Sequence, residues 1–498
     1  PRDASIQGLA YDSRTVRDGY LFFALPGIHD DGNRYIEAAI RAGATAIVHR
    51  GELAAYAEDV AYLAVADPRS AMSPIADAFY GYPSRDLRVI GVTGTEGKST
   101  TVYLIYQLLL LAGKRAGFFS TVMSDTGRGE VPNPEHQTTP EATAVQRLLA
   151  EMRDAGMEYA IVEASSHGLS PRTSRLADVA FDVAVCMNVT HEHLEFHGTW
   201  EQYRSDKANL FRALDRSGHH KPRSFPGREV PAFGVISADD PSCGYFRAAT
   251  GHPVVAFSSK GAPADLRARD IESDARGSSF AIEVEGRRLE ARIELPGAFN
   301  VDNCLAALAA VSTSAGIVID ELLPLLPRIR PVRGRMTSID RGQDFELLID
   351  YAHTPSSFKA ILPPLRQRAR GRIIVVFGSA GERDTAKRPE QGRIAAEYCD
   401  IVILADEDPR GEASLAILEE IASGCAAKER GVSLFLIPDR LEALRRALAL
   451  ALPKDIVLFL GKGHENSIIY ADRSMPWDEI ANATALLAEL GWGEGSQG

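Results

Sequence analysis

Lys98 and Ser99 close the run Thr93-Gly94-Thr95-Glu96-Gly97-Lys98-Ser99-Thr100. Glycines let a backbone wrap close to an anion, and the N–H groups of a helix N-terminus point toward it. In such a phosphate-binding loop Lys98 reaches the terminal phosphates and Ser99 offers a hydroxyl to Mg²⁺. The spacing is unusual. Counted from Gly91, five residues precede Gly97; counted from Gly94, only Thr95 and Glu96 intervene. A carboxylate at the end of a later strand commonly completes such a metal site. Glu163, closing the apolar run 159–162, is that carboxylate. Residues 191–197 hold three histidines and two glutamates. A helical zinc site needs His-Glu-x-x-His on a regular helix. This cluster instead follows a strand and meets Gly198, so a strand-end loop with His193 as metal contact is the better reading. Lys207, inside the next helix, reads locally as a solvated surface lysine.

These side chains need a frame. Residues 87–92 read as a strand and 101–111 as an apolar helix, with the glycine-rich turn between them. Before them, strands over 20–25 and 44–49 and a helix over 33–42 suggest a small α/β domain, ending at Gly81-Tyr82-Pro83-Ser84. Polar turns containing Tyr11 and Ser13 lie beside its strands. After the loop come a polar stretch with Gln137, Thr138 and Thr139, a helix over 141–155, strands over 159–162 and 182–188, and a helix over 199–214. Strands over 233–237, 254–258, 280–284 and 288–293 precede a helix over 301–315, and residues 217–230 read as a flexible loop. From about residue 330, strands over 345–349, 372–377, 401–404 and 455–460 alternate with helices such as 415–423 and 440–450. Each of these four strands runs into a polar motif, which predicts a parallel doubly wound sheet with its ligand crevice at the strands' carboxyl ends. The predicted fold is therefore α/β in three domains, over residues 1–84, 85–329 and 330–498.

The bulk composition excludes some classes of function. A 498-residue chain with 45% hydrophobic and 24% charged residues is that of a multidomain globular protein. Its net charge of -12 argues against broad nucleic-acid or acidic-membrane binding. The five cysteines lack metal-type spacing and read as reduced core residues of a cytoplasmic protein. The opening residues do not read as a signal peptide, and the apolar run 104–112 is too short to span a bilayer. A monomer acting on small-molecule substrates is expected, without nucleic-acid or membrane partners.

Taken in order, these motifs resemble the Mur ligase family, and within it the MurE type. The resemblance rests on residues 93–100, 163–167, 192–194 with His197-Gly198, 295–300, 350–355, 381–389 and 461–465. It implies an N-terminal UDP-binding domain, a central ATPase domain with a mainly parallel sheet, and a C-terminal Rossmann-like domain that binds an amino acid. It implies ATP-dependent ligation of a diamino acid to the D-Glu of UDP-MurNAc-L-Ala-D-Glu through an acyl phosphate, in peptidoglycan precursor synthesis. Lys98, Glu163, His193 and Lys207 are the residues implied to do the chemistry, with Ser99, Glu163 and His193 on Mg²⁺. The resemblance replaces the surface reading of Lys207 with a carbamate formed from CO₂, which turns a cation into an anion able to orient the metal.

Gly94, Thr95, Glu96, Gly97, Lys98, Ser99, Thr100, Asn300, Arg335, Asp350 and His353 match ATP contacts. Tyr11, Ser13, Gln137, Thr138, Thr139, Ser165, Lys207 and an arginine match UDP-sugar–dipeptide contacts, with Arg175 favoured over Arg172. Arg383, Glu407, Asp408, Pro409, Arg410, Gly461 and Glu465 match the amino-acid site. Family members using meso-diaminopimelate usually show Asp-Asn-Pro-Arg where this chain has Glu407-Asp408-Pro409-Arg410. Arg410 and Arg383 suit a distal carboxylate. Asp408, however, puts a charge where an amide is usual, and like charges in a desolvated site are costly. The expectation is L-lysine or L-ornithine, with Asp408, Glu412 and Glu465 as acidic lining and meso-diaminopimelate as the alternative. A folylpolyglutamate-type ligase and a non-catalytic nucleotide-binding scaffold are the rival readings.

Overall fold

The computed structural model describes residues 5–27, 31–133, 137–190, 194–216, 232–274 and 276–493. Two compact units emerge, Pro1–Arg267 with Leu305–Leu322, and Ala268–Cys304 with Leu323–Gly498.

The first unit opens with strands Gly8–Ala10, Tyr20–Phe23, Ala44–His49 and Ala61–Ala64, paired in parallel in that order. Phe22, Phe23, Ile47 and Val48 form its buried centre. The expected helix over 33–42 is split. Asp31 accepts from the Asn33 N–H and starts a 3-10 turn, Gly32–Tyr35, before the short α-helix Ile36–Arg41.

The larger sheet of this unit is built around Arg88–Thr93, buried at every position. Tyr159–Glu163 and then Ala116–Phe119 flank it in parallel on one side. Val183–Cys186, Phe233–Ser237 and Val254–Ser258 follow on the other. Strands packed on both faces read as continuous apolar runs. The chain fills one side of Arg88–Thr93 before crossing to the other, so the topological switch falls at this strand's carboxyl end. Register brings Val92 opposite Glu163 and Thr93 opposite Cys186. The phosphate-loop helix Lys98–Leu111 starts three residues earlier than the apolar run suggests, because Gly97, at φ 85°, turns the chain directly into it.

The second unit contains the hairpin Gly277–Val284 with Arg287–Ile293. Its main sheet runs in the order Thr337–Ile339, Glu346–Asp350, Ile456–Leu460, Ile373–Phe377, Ile401–Leu404, Leu434–Leu436, parallel except for the first pair. Pro355–Arg368, Lys387–Tyr398 and Ser414–Ser423 cover one face, around Phe358, Ile394 and Ile417. Arg440–Leu450 and Glu479–Glu489 cover the other, around Leu444 and Leu486. The doubly wound expectation holds, and the α/β class with it. Among the described residues no single helix is long and apolar enough to cross a membrane. The loop expected over 217–230 lies outside the described residues.

Candidate functional site

In the first unit the glycine-rich loop is pinned by the strand end beside it. Thr95 N donates to Asn188 O and Glu96 N to Asn188 Oδ1, both at 2.8 Å. Thr190 N donates to Thr95 Oγ1 at 2.9 Å, and Tyr203 Oη lies 3.1 Å from the same oxygen. Gly94, at φ 151°, passes so close to Met187 that a Cβ there would lie 2.9 Å from the Met187 Cβ. Lys98 Nζ folds back onto Thr95 O at 2.8 Å.

Glu163 is buried and engages both carboxylate oxygens. Ser99 Oγ and Thr121 Oγ1 donate to Oε1 at 3.0 and 2.9 Å, and Thr121 N to Oε2 at 2.8 Å. Two oxygen donors of the kind a hard cation prefers, the Ser99 hydroxyl and the Glu163 carboxylate, are thus already side by side, so the residues fit Mg²⁺. His193 and Glu192 lie outside the described residues, and no group of three His, Cys, Asp or Glu residues suited to a metal occurs among the described residues.

Next to Glu163 a polar chain continues. Thr121 Oγ1 reaches Thr138 Oγ1 at 3.0 Å, and Thr139 Oγ1 donates to Glu163 O at 2.9 Å. Ser165 donates to Thr139 Oγ1 through both its N–H and its hydroxyl. Arg175 bridges Thr139 O and Glu141 Oε1 at 2.8 and 2.9 Å. Arg172 instead bonds Phe196 O and lies over the Phe196 ring. Thr138, Thr139, Ser165 and Arg175 therefore form one cluster, to which the Arg172 alternative does not belong. Asn133 bonds Gln137 O at 3.3 Å, at the cluster's edge. Tyr11 is exposed and Ser13 opens a 3-10 turn after the first strand.

Lys207 corrects its local reading. It is 1% exposed, its Nζ donates to Gly94 O at 2.7 Å, and it lies 4.6 Å from the Tyr203 ring centroid. Its helix, Trp200–Leu214, is anchored by a network that the sequence did not reveal. His197 Nδ1 meets Asp206 Oδ2 at 2.7 Å, and His197 Nε2 meets Ser166 Oγ at 3.0 Å, all three buried. Burial alone would raise the Asp206 carboxyl, but hydrogen bonds led by His197 hold it below the usual range.

In the second unit, Asp350 is fixed by the N–H groups of Met336 and Ala352, each at 2.7 Å, and its burial raises its pKa. Arg335 lies over the Tyr351 ring, which also meets the rings of His353 and His464. Asn300 lies in the first turn of the helix Ala298–Ala315 and donates to Pro296 O at 2.8 Å.

Around the carboxyl ends of the strands the charges are paired in ways the sequence did not show. Lys462, fully buried, bonds Asp408 Oδ1 at 2.9 Å and also Glu465. Burial would lower the Lys462 ammonium, but Glu465 and Asp408 raise it overall. Glu412 is held by Arg388 at 2.8 and 3.0 Å. The acidic lining read from sequence is therefore largely offset within the chain. Glu407, not part of that lining, has Lys387, Lys462 and Arg440 acting on it through space but differs in its hydrogen bonding. It is buried, its Oε2 has no hydrogen-bond partner among the described residues, and desolvation raises its pKa. Gly461 makes room for it, since a Cβ there would lie 2.6 Å from that oxygen. Arg410, at φ 52°, follows Pro409 and bonds Ile469 O through its N–H. Arg383 is exposed in the loop leading to Lys387–Tyr398.

A phosphate loop at the switch point of a parallel sheet, together with a second doubly wound unit bearing a charged rim, defines a nucleotide-binding α/β protein. Family comparison is specific. The families "Mur ligase family, catalytic domain", "Mur ligase middle domain" and "Mur ligase, glutamate ligase domain" match residues 5–80, 92–311 and 334–463. The chain is 53% identical to the UDP-N-acetylmuramyl-tripeptide synthetase of Treponema denticola, over 97% of this chain and 92% of that protein. It is 38% identical to the UDP-N-acetylmuramoyl-L-alanyl-D-glutamate--2,6-diaminopimelate ligase of Geobacillus kaustophilus, over 98% and 96%. A solved structure of a ligase of that second name superposes with TM-score 0.64 at 28% identity, covering 98% of this chain and 95% of the other. The chain belongs to the Mur ligase family and is an ATP-binding ligase of the MurE type, as the resemblance implied.

Proposed function

We propose that this ligase joins a diamino acid with a side-chain amine, L-lysine or L-ornithine, to the D-Glu γ-carboxylate of UDP-MurNAc-L-Ala-D-Glu, in the cytoplasm and as a monomer. The domain limits would fall near residues 84 and 329. The observation that carries the ligase chemistry is the Ser99–Glu163–Thr121 cluster beside a helix N-terminus bearing Lys98.

Transfer of the ATP γ-phosphoryl to a carboxylate brings two anions together. Mg²⁺, held by Ser99 and Glu163 with His193, would supply charge neutralisation. Lys98 and the N–H groups of Gly97 to Thr100 would bind phosphate oxygens, with Thr95 and Glu96 holding the loop to Asn188. On the second unit Asn300, Arg335, Asp350 and His353 would bind the nucleotide. Thr138, Thr139, Ser165 and Arg175, with Tyr11, Ser13 and Gln137, would hold the UDP-sugar–dipeptide so that its carboxylate is presented. The amine then attacks the acyl phosphate, and the tetrahedral adduct collapses to amide and phosphate. A carbamate on Lys207 forms when the neutral Nζ bonds to CO₂ and a proton leaves, and its anion would help to orient the metal.

For the amine donor the weight moves from Asp408 to Glu407. Lys462 hydrogen-bonds Asp408, whereas Glu407 presents a buried carboxylate oxygen with no hydrogen-bond partner among the described residues, which an incoming ammonium would satisfy. The meso-diaminopimelate alternative rests on Arg410 and on the Geobacillus relative. The test is ATP-dependent phosphate release with UDP-MurNAc-L-Ala-D-Glu and each of L-lysine, L-ornithine, meso-diaminopimelate and L-glutamate. Release with L-lysine or L-ornithine is expected. Release with meso-diaminopimelate alone would overturn the choice of donor, and release with none would overturn the ligase assignment.

A further inference from the structure

Arg440 is fully buried on the helix Arg440–Leu450, and no charged substrate group in the proposed reaction calls for it. Its planar fork reaches three segments of the chain. Nη1 donates to Asp406 O at 3.1 Å and Nη2 to Leu460 O at 2.8 Å. Nε and Nη2 also clamp the Glu479 carboxylate, at 3.0 and 2.6 Å. The two bonds take one oxygen each, and Trp477 Nε1 also donates to Glu479 Oε2, the oxygen that Arg440 Nε meets.

The two carbonyls are significant by position. Asp406 immediately precedes Glu407, and Leu460 immediately precedes Gly461. Leu460 closes the strand Ile456–Leu460 and Asp406 lies two residues past the strand Ile401–Leu404; these strands are not neighbours, because Ile373–Phe377 lies between them. Ladder hydrogen bonds therefore do not tie these two loops to each other directly; the guanidinium does so at their bases, and the Lys462–Asp408 pair does so further out. Tolerance at the far end is small, since Gly461 leaves no space for even a Cβ against Glu407 Oε2. A lysine would keep the charge but lose the fork that holds both carbonyls at once.

We propose that Arg440 is a positioning residue for the diamino-acid site, setting the distance between the Glu407 and Gly461 loops, with Glu479 and Trp477 fixing the guanidinium. The inference rests on the proposed assignment of Glu407 and Gly461 to that site. It predicts a defect confined to one substrate. In Arg440→Lys the KM for the diamino acid rises about tenfold, while the KM values for ATP and UDP-MurNAc-L-Ala-D-Glu stay within about twofold. Trp477→Phe and Glu479→Gln leave both carbonyl bonds possible but loosen the fork, and raise the same KM by about two- to fivefold. A structural role alone would lower the active fraction, and so kcat, without altering one KM selectively.

The experiment is full initial-rate kinetics of the whole chain and these three variants, with thermal unfolding of each. A selective rise graded from the two mild variants to Arg440→Lys supports the proposal. An equal rise in all three KM values, or lower kcat with every KM unchanged, overturns it. If Arg440→Lys does not fold, the two mild variants decide by the same criterion. A wild-type chain that turns over with no diamino acid would overturn the underlying assignment instead, which the wild-type arm alone reveals.

Discussion

At the scale of single residues, Glu407 and Asp408 are adjacent carboxylates with opposite circumstances. Asp408 is bonded by Lys462 and by the Ile469 N–H, whereas Glu407 keeps a buried oxygen with no hydrogen-bond partner among the described residues. Removing a buried charged acceptor from a bound ammonium costs about 1.5–3 kcal/mol, or roughly ten- to a hundredfold in affinity. Glu407→Gln should therefore raise the KM for the diamino acid by that factor with little change for ATP. Asp408→Asn should leave the preferred diamino acid unchanged, which competition between L-lysine, L-ornithine and meso-diaminopimelate would check. A switch of preference in Asp408→Asn would return the weight to Asp408. Lys207 offers a second test. Buried and bonded to Gly94 O, it sits where a charge change would act on the phosphate loop. Lys207→Ala should lower kcat by about 10²–10³-fold. Wild-type protein in ¹³C-bicarbonate should show a carbamate resonance that the variant lacks; a spectrum without one in either protein would remove the carbamate.

At the scale of elements, legibility followed burial. Ile401–Leu404 and Phe233–Ser237 were read to the residue because strands covered on both faces are unbroken apolar runs. The helix Pro68–Phe79 was not read, because Pro74 interrupts its pattern. Ala116–Phe119 was missed because a four-residue strand containing glycine carries little β signal. In the site, Lys98, Ser99 and Glu163 were legible from the loop and the strand end. The Lys462–Asp408 and Arg440–Glu479 pairs were not, since partners 54 and 39 positions apart leave no periodic trace. Pro68–Phe79 also carries a test of its own. Desolvation raises the Asp77 carboxyl to about 6, Asp178 adding to the rise and Arg85 partly opposing it. An unfolded aspartate titrates near 4. The favourable contribution of the protonated folded group is therefore full below about pH 4 and is lost as pH rises through 6. Asp77→Asn should raise Tm by a few degrees at pH 7.5 and have little effect at pH 4, as read by calorimetry at the two pH values. Equal effects at both would mean that Asp77 does not titrate in this way.

At the scale of the molecule, the proposed contacts of the UDP-sugar–dipeptide and of the diamino acid fall in different compact units. Thr138, Thr139, Ser165 and Arg175, with Tyr11 and Ser13, belong to the first. Glu407, Arg410, Gly461 and Glu465 belong to the second. Each unit has its own buried apolar core, so each should show its own unfolding transition. A ligand that binds only the folded form stabilises what it binds by about 2.7 kcal/mol at a hundred times its Kd. The tryptophans separate the two signals, because Trp200 lies in the first unit while Trp477 and Trp492 lie in the second. In a Trp200→Phe protein, emission reports the second unit alone. The diamino acid should raise that transition without ATP, because its proposed contacts all lie in this unit. UDP-MurNAc-L-Ala-D-Glu alone should leave that transition in place and instead raise the one reported by Trp200 in the Trp477→Phe, Trp492→Phe protein. If the diamino acid moved the Trp200 transition instead, residues 407–465 would not be its site. The Glu407 argument and the positioning role of Arg440 would then fall together.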